Sequence, residues 1–101
     1  MQTHVENSDN TSIIIIDENQ LLGLENNILQ KMVLSSIEQG SKNISVDLSN
    51  VKFISSWGIE GFLHAYKTCT NNNVNFSLKN VNEIIMNELS ILKLTDIIKI
   101  T

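Results

Sequence analysis

Apolar residues follow two spacings along the chain, one typical of strands and one typical of helices. Four consecutive isoleucines within Ser12–Asp17 predict a strand that is buried on both faces. Apolar and polar residues alternate at Ile44–Leu48 and Val74–Leu78, which predicts two further strands. The polar segment 1–11 before them is either an edge strand around Thr3–Glu6 or a flexible terminus.

Three other segments carry apolar residues every three or four positions, the spacing of an amphipathic helix. The first begins near Leu24 and ends before Gly40, which we expect to terminate it in the left-handed conformation. The second follows Ser56, and the third covers residues 82–92. The tail Asp96–Thr101 is a closing strand or a helix cap. The apolar stripes of the three helices comprise Leu24, Ile28, Leu29, Met32, Val33 and Ile37, then Ile59, Phe62, Leu63, Tyr66 and Cys69, then Ile85, Met86, Leu89 and Leu92.

Strands that alternate with helices over most of the chain predict an α/β fold with a mixed sheet and helices on one or both faces. The length of 101 residues suffices for one core and one domain. We expect that domain to cover residues 12–101, with residues 1–11 preceding it.

From the composition we expect neither a membrane-spanning protein nor a secreted one. The longest apolar run, Ile13–Ile16, is far too short to cross a bilayer, and no basic N-terminus followed by an apolar stretch indicates a secretory signal. The single cysteine, Cys69, cannot form an internal disulfide, which fits a cytoplasmic location.

The charge balance argues against nucleic-acid binding. Seven basic and eleven acidic residues give a net charge of −4. All basic residues are lysines, whereas bidentate contacts to bases and phosphates are usually made by arginine.

No constellation of residues indicates catalysis, a metal or a cofactor. His64 lies two helical turns beyond Ser56, about 12 Å away by helical rise, so the two cannot form a nucleophile–base pair. The serines lack the first glycine of a G-x-S-x-G elbow, and the chain contains no phosphate-binding glycine loop. One cysteine and two histidines at unrelated spacings form no metal-ligand set.

A phosphoacceptor receiver domain is one alternative. Asp17 follows the isoleucine strand, Asp47 lies in the next predicted strand, and Lys79 follows a later one, as the acidic pair, acceptor and lysine of a receiver would. However, Asp47 comes too early by roughly one strand-and-helix unit of a doubly wound fold. It would also lie inside its strand, with Leu48 continuing it, rather than at the carboxyl end.

The stretch Val46–Ile59 reads VDLSNVKFISSWGI. It resembles the signature of the STAS family, the small domains typified by bacterial anti-sigma factor antagonists. In that signature an apolar strand ends in Asp-Leu-Ser, and after a short spacer come Phe-Ile or Tyr-Ile and then Asp-Ser-Ser-Gly-Leu or Ser-Ser-Ala-Gly-Leu. The likeness extends from about Thr11 to the closing segment Ile91–Ile98.

This resemblance implies a single domain with a mixed four- or five-stranded sheet packed against three to four helices. It also implies a function: binding a partner, commonly an anti-sigma factor that is a serine kinase, and release by phosphorylation of a serine. By register Ser56 matches the phosphoacceptor, and Ser55 stands where the family often has Asp. A phosphate at a helix N-terminus would meet free amide groups and the positive end of the helix dipole.

Ser55 is the better candidate for the helix N-cap, which would leave the Ser56 hydroxyl free. Two neighbours depart from the family pattern. Trp57 replaces a small residue and is either an exposed partner anchor or part of the core. Glu60, one turn after Ser56, would disfavour an added phosphate. The alternative is therefore a STAS scaffold, or a subunit of a stressosome-type assembly, that is not phosphorylated.

In the family the partner docks around the start of the acceptor helix and the loop that leads into the first helix. The resemblance therefore places a candidate protein-binding face on Asn19–Leu24 (chiefly Asn19, Leu22 and Gly23) together with Ser55–Trp57 and Glu60. The oligomeric state is left open, because family members differ in it.

Overall fold

A five-stranded mixed sheet forms the centre of the molecule. The computed structural model describes residues 3–24 and 26–101. Their elements are β1 (Thr3–Ser8), β2 (Thr11–Ile16), β3 (Gln20–Leu21), α1 (Asn26–Glu38), β4 (Asn43–Asp47), β5 (Phe53–Ile54), α2 (Ser56–Asn71), β6 (Asn75–Lys79), α3 (Glu83–Ile91), a 3-10 turn (Leu94–Asp96) and β7 (Lys99–Ile100). The sheet has the strand order β1-β2-β4-β6-β7, with β1 antiparallel to β2 and the other neighbours parallel. This is the α/β architecture that the sequence predicts.

The polar N-terminal segment forms an edge strand from Thr3 onward. A two-residue turn joins β1 to β2, and Asp9 in that turn has a φ of 53°, a left-handed conformation that aspartate tolerates. Of the two structures that the sequence leaves open for this segment, the strand is therefore observed. Residues 1 and 2 of the segment lie outside the described residues.

The isoleucine run of β2 is buried on one face only, so the prediction that both faces are covered is wrong. Ile14 and Ile16 are fully buried, whereas Ile13 and Ile15 are partly exposed. The parallel strands β2, β4, β6 and β7 follow each other in order across the sheet. Right-handed crossovers then place every connecting helix on the same face, and the opposite face stays open.

The first helix begins later than the sequence suggests. Leu24 precedes α1 and is 74% exposed, and Ile28 in its first turn is 41% exposed, so the predicted stripe is wrong at these two positions. Leu29 and Val33 are the fully buried apolar residues of α1, and Ser36 is buried beside them. The turn that follows α1 contains Gly40 with a φ of 94°, the left-handed conformation predicted for the end of this helix.

The second and third helices lie close to their predicted positions. Phe62 of α2 and Ile85 of α3 are fully buried, but Leu92 falls after the end of α3 and is 52% exposed, contrary to the prediction for its stripe. The C-terminal tail closes the sheet, because β7 pairs parallel with β6. No helix in the described part of the chain is long and apolar enough to cross a membrane.

A small second sheet, which the sequence does not indicate, positions the candidate site. Here β3 and β5 pair in parallel over two residues each. The Asn19 carbonyl accepts hydrogen bonds from the amides of Lys52 (2.8 Å) and Phe53 (3.2 Å). This pairing holds the loop after β3 beside the start of α2.

Candidate functional site

Ser55 is the N-cap of α2, the role that the sequence favours for it. Its backbone is extended (φ −90°, ψ 168°), and its hydroxyl oxygen accepts a hydrogen bond from the Gly58 amide at 3.2 Å. The same hydroxyl donates to the Leu22 carbonyl at 2.9 Å, and the Ser55 amide donates to the Leu21 carbonyl at 3.0 Å. The Ser55 side chain therefore has its donor and an acceptor position engaged, and it joins the loop after β3 to α2.

Ser56 is the first residue of α2, and its side chain is exposed. Among the residues that the structure describes, its hydroxyl has no hydrogen-bond partner. The first bond along the helix runs from the Ile59 amide to the Ser55 carbonyl (3.0 Å), and the Gly58 amide is used by the cap. The amides of Ser56 and Trp57 thus lie at the helix N-terminus, where backbone donors are open to an anion.

Two glycines allow the loop after β3 to approach the start of α2 closely. A Cβ atom on Gly23 would lie 2.7 Å from the Trp57 carbonyl carbon, and one on Gly58 would lie 2.5 Å from the Leu21 carbonyl oxygen. The Asn26 side-chain amide adds a link by donating to the Trp57 carbonyl at 2.8 Å. The loop and α2 therefore form one continuous surface.

The structure accordingly brings most of the predicted face together. Leu22 and Gly23 contact the α2 start through the Ser55 hydroxyl and the Trp57 backbone, and the Asn19 carbonyl holds the segment that leads into α2. Gly58 and Asn26 were not predicted as residues of this site. A glycine three residues after the cap was visible in the sequence, but the partner of Asn26 lies thirty-one positions away in the chain and has no local signal.

Three large apolar side chains are exposed on this face. Trp57 is 64% exposed, so the alternative that it belongs to the core is wrong. Leu22 and Leu24 are 45% and 74% exposed. They line a groove of about 640 Å³ whose remaining walls are Asp17, Glu18, Asn19, Gln20 and Asn50. The site thus combines exposed apolar anchors with an acidic margin, a composition typical of a protein-binding surface rather than of a catalytic pocket.

Glu60 is exposed on α2, one helical turn after Ser56. It also lines a smaller groove between α1 and α2 together with Asn26 and His64. A negative charge at this distance would raise the electrostatic cost of a phosphate on Ser56.

Asp47 is the last residue of β4, so the argument that it lies inside its strand is wrong. Burial by itself would raise the pKa of Asp47, but hydrogen bonds from Ser49 and Asn80 and the charge of Lys79 together lower that pKa. The Ser49 amide lies 2.9 Å and the Asn80 side-chain nitrogen 3.1 Å from its carboxylate oxygens. Asp47 therefore fastens the end of β4 to the end of β6.

The fold excludes the receiver alternative. A receiver has a doubly wound parallel sheet, whereas this sheet begins with the antiparallel β1–β2 hairpin and its parallel strands follow in sequence order.

The Asp17 carboxylate contacts His4 Nδ1 at 2.6 Å. No group of three or more His, Cys, Asp or Glu side chains within residues 3–24 and 26–101 could hold a metal ion.

Cys69 is fully buried, and burial raises its pKa to about 11. Its thiol is therefore protonated at neutral pH and unsuited to nucleophilic chemistry.

Comparison with known proteins adds a family and a set of similar structures. A family model described as STAS domain matches residues 2–101. The solution structure of TM1081, from Thermotoga maritima, is 25% identical with a TM-score of 0.83, covering 96% of this chain and 78% of that one. The crystal structure of TM1081 is that of a proposed anti-sigma factor antagonist. Among curated proteins no sequence matches.

Two more distant structures show the same fold. The Bacillus anti-sigma factor antagonist SpoIIAA in its unphosphorylated form is 15% identical, with a TM-score of 0.80 over 99% of this chain and 88% of that one. A mouse anion transporter, Slc26a9, is 17% identical with a TM-score of 0.72 over 89% of this chain but only 15% of its own. The fold therefore occurs both in small proteins and as one part of a much larger one.

Proposed function

The chain belongs to the STAS domain family, and from this premise we propose that it is a regulatory protein-binding module switched by phosphorylation of Ser56. Its partner would be an anti-sigma factor with serine kinase activity, and both would act in the cytoplasm. The likeness to TM1081, a proposed anti-sigma factor antagonist, supports the class of partner. SpoIIAA, which has the same fold, has been seen both with and without phosphate.

The contrast between two adjacent hydroxyls carries this proposal. The Ser55 hydroxyl donates to the Leu22 carbonyl and accepts from the Gly58 amide, so a phosphate on it would break the helix cap. The Ser56 hydroxyl is exposed and without a partner among the described residues, so a kinase could modify it without disturbing the fold. These contacts support Ser56 rather than Ser55 as the proposed acceptor.

A phosphate on Ser56 would change the charge of the surface much more than its shape. It carries about −1.5 to −2 charges near neutral pH. The helix N-terminus would accept part of that charge, whereas Glu60 would oppose it. The same charge would stand beside Trp57, Leu22 and Leu24, whose burial against a partner requires the removal of water. We infer that phosphorylation weakens docking by this desolvation cost and by repulsion from any acidic group of the partner.

An unphosphorylated scaffold is the second candidate, and Trp57 is the observation that favours it. An exposed tryptophan next to the acceptor supplies a permanent anchor and narrows the approach of a kinase. In this case the domain would hold a larger assembly together through the same apolar face, without a charge switch.

Incubation with the anti-sigma kinase of the same genome, ATP and Mg²⁺, followed by intact-mass measurement, separates the two candidates. We expect the mass to increase by one acid-stable phosphate. Ser56→Ala should abolish this increase. Asp47→Asn, the control for an acyl phosphate, should retain it. An unmodified protein that still binds the kinase would instead support the scaffold. Incorporation that persists in Ser56→Ala would refute the assignment of the acceptor.

A further inference from the structure

The two edges of the main sheet differ in how they are protected. At one edge β7 has only two residues. At the other, β1 has six, and its register with β2 is continuous from Thr3↔Ile16 to Ser8↔Thr11, without a bulge. Soluble proteins usually blunt an exposed edge with proline, lysine, a bulge or a covering segment. The sequence of β1, THVENS, contains neither proline nor lysine, and no described strand pairs with its outer side.

The backbone of β1 offers alternate residues for a further strand. In an antiparallel pair, successive residues direct their amide and carbonyl groups to opposite sides. The tight two-residue turn makes Ser8 and Thr11 a hydrogen-bonded pair, so Glu6 and His4 also bond to β2. Thr3, Val5 and Asn7 therefore direct their backbone groups outward, to the open edge.

We propose that β1 pairs antiparallel with β1 of a second copy of this chain, with Val5 opposite Val5 on the twofold axis. An isologous antiparallel pair must place outward-directed residues opposite each other, and a twofold axis through any residue of the strand satisfies this condition. Only a twofold axis at Val5 pairs every residue from Thr3 to Asn7 with a residue of the same segment in the other copy. A second copy of this chain is the proposed partner, because the side chains of β1 complement those of another β1.

Complementary side chains support this register: an imidazole, which is positive when protonated, and a carboxylate. With Val5 at the centre, His4 of each copy lies opposite Glu6 of the other, on the open face of the sheet. Within one chain, His4 Nδ1 contacts the Asp17 carboxylate at 2.6 Å, while His4 Nε2 lies 3.9 Å from the Glu6 carboxylate, too far for a hydrogen bond. Nε2 and Glu6, whose side chain is 67% exposed, thus remain open to a partner across the strand pair.

The opposite face of the sheet provides the apolar part of the contact. Val5 packs partly against the core, as does Met32 of α1. Both line a groove of about 320 Å³ between β1 and α1, whose other lining residues are Asn7, Lys31, Ser35, Ser36 and Gln39. Pairing of the two β1 strands would bring the two Val5 side chains together at the mouth of this groove. The contact involves none of Ser55, Ser56 or Trp57, so it is independent of the proposed switch.

Sedimentation equilibrium of the full chain over a range of concentrations tests the proposal, together with amide hydrogen exchange. We expect a monomer–dimer equilibrium in which the amides of Val5 and Asn7 become protected as concentration rises. Val5→Pro removes an outward amide that the monomer does not use, so it should give a folded monomer. A chain that stays monomeric at millimolar concentration, or a dimer that Val5→Pro leaves intact, would refute the proposal.

A charge-swap series remains decisive if Val5→Pro fails to fold. Glu6→Lys places a lysine opposite His4 twice per dimer and should raise the dimer dissociation constant roughly tenfold. The double variant His4→Glu/Glu6→Lys restores opposite charges across the pair and should recover the affinity. Equal dissociation constants for wild type, the single variant and the double variant would overturn the register.

Discussion

Gly23 lies directly against the backbone of Trp57. A Cβ atom at Gly23 would lie 2.7 Å from the Trp57 carbonyl carbon and 3.0 Å from the Gly58 nitrogen, and Gly23 has a φ of 89°. The loop after β3 can therefore meet the first turn of α2 only if this residue has no side chain. The shape of the candidate docking surface depends on this contact as much as on the serines.

Gly23→Ala should destabilise the domain by about 2–4 kcal/mol, because it combines backbone strain with overpacking. Gly40→Ala is the matched control, since Gly40 has a similar φ of 94° but nothing within 4 Å of its Cβ position. That variant should lose only about 1–2 kcal/mol from strain. Urea unfolding measures both, and equal losses would show that the loop does not pack on Trp57 as described.

Ser55→Ala should lower the free energy of unfolding by about 1–2 kcal/mol, because the α2 cap and a hydrogen bond to the Leu22 carbonyl are lost together. Ser56→Ala should change it by less than about 0.5 kcal/mol, as expected for an exposed side chain without partners. Thermal and urea denaturation of the two variants and the unmodified chain measures both losses of stability. The reverse order of losses would mean that Ser56 is the structural serine.

Trp57→Ala should weaken binding of the proposed anti-sigma partner by at least about tenfold, as loss of an aromatic anchor at an interface does. Because Trp57 is 64% exposed, the melting temperature should barely change. Phe62→Ala, at a fully buried position of the same helix, is the contrasting variant and should cost about 3–5 kcal/mol of stability. Unchanged partner affinity in Trp57→Ala would remove this residue from the docking surface.

Asp47→Asn should make the domain less stable by about 1 kcal/mol at neutral pH, through weaker hydrogen bonds with Ser49 and loss of attraction to Lys79. The pKa of Asp47 is lowered in the fold from an ordinary value of 3.8. Its charge-dependent stabilisation is therefore complete above that value and disappears as pH falls through the lower folded pKa. Unfolding free energies of both proteins should converge as pH falls below the folded pKa of Asp47. A difference that stays constant with pH would contradict this role.

The longer central strands and the three helices could be predicted from the sequence because each carries a regular pattern. The stripe through Leu29 and Val33 fixed α1, and the alternation around Ile44 and Val46 fixed β4. Leu24 and Ile28 were misassigned because apolar spacing does not distinguish a residue packed on the core from one exposed beside it. Likewise, four isoleucines in a row do not reveal that the crossovers leave one face of the sheet open.

The candidate site was predictable only in part. Ser55 and Ser56 follow from a local motif, since a cap and its first turn are adjacent in the chain. The approach of Gly23 to Trp57 and the bond from Asn26 to the Trp57 carbonyl join segments about thirty residues apart. Such contacts depend on the packing of β3 against β5, two-residue strands with no periodic signal of their own.

The central claim is that a charge on Ser56 releases the partner, and direct comparison of affinities tests it. Protein carrying phosphoserine at position 56, installed during synthesis, can be titrated calorimetrically against the anti-sigma kinase beside the unmodified chain and Ser56→Ala. We predict that the unmodified chain and Ser56→Ala bind alike, whereas the phosphorylated chain binds roughly 100-fold more weakly, with an unchanged melting temperature. Equal affinity of the phosphorylated and unmodified chains would contradict the claim.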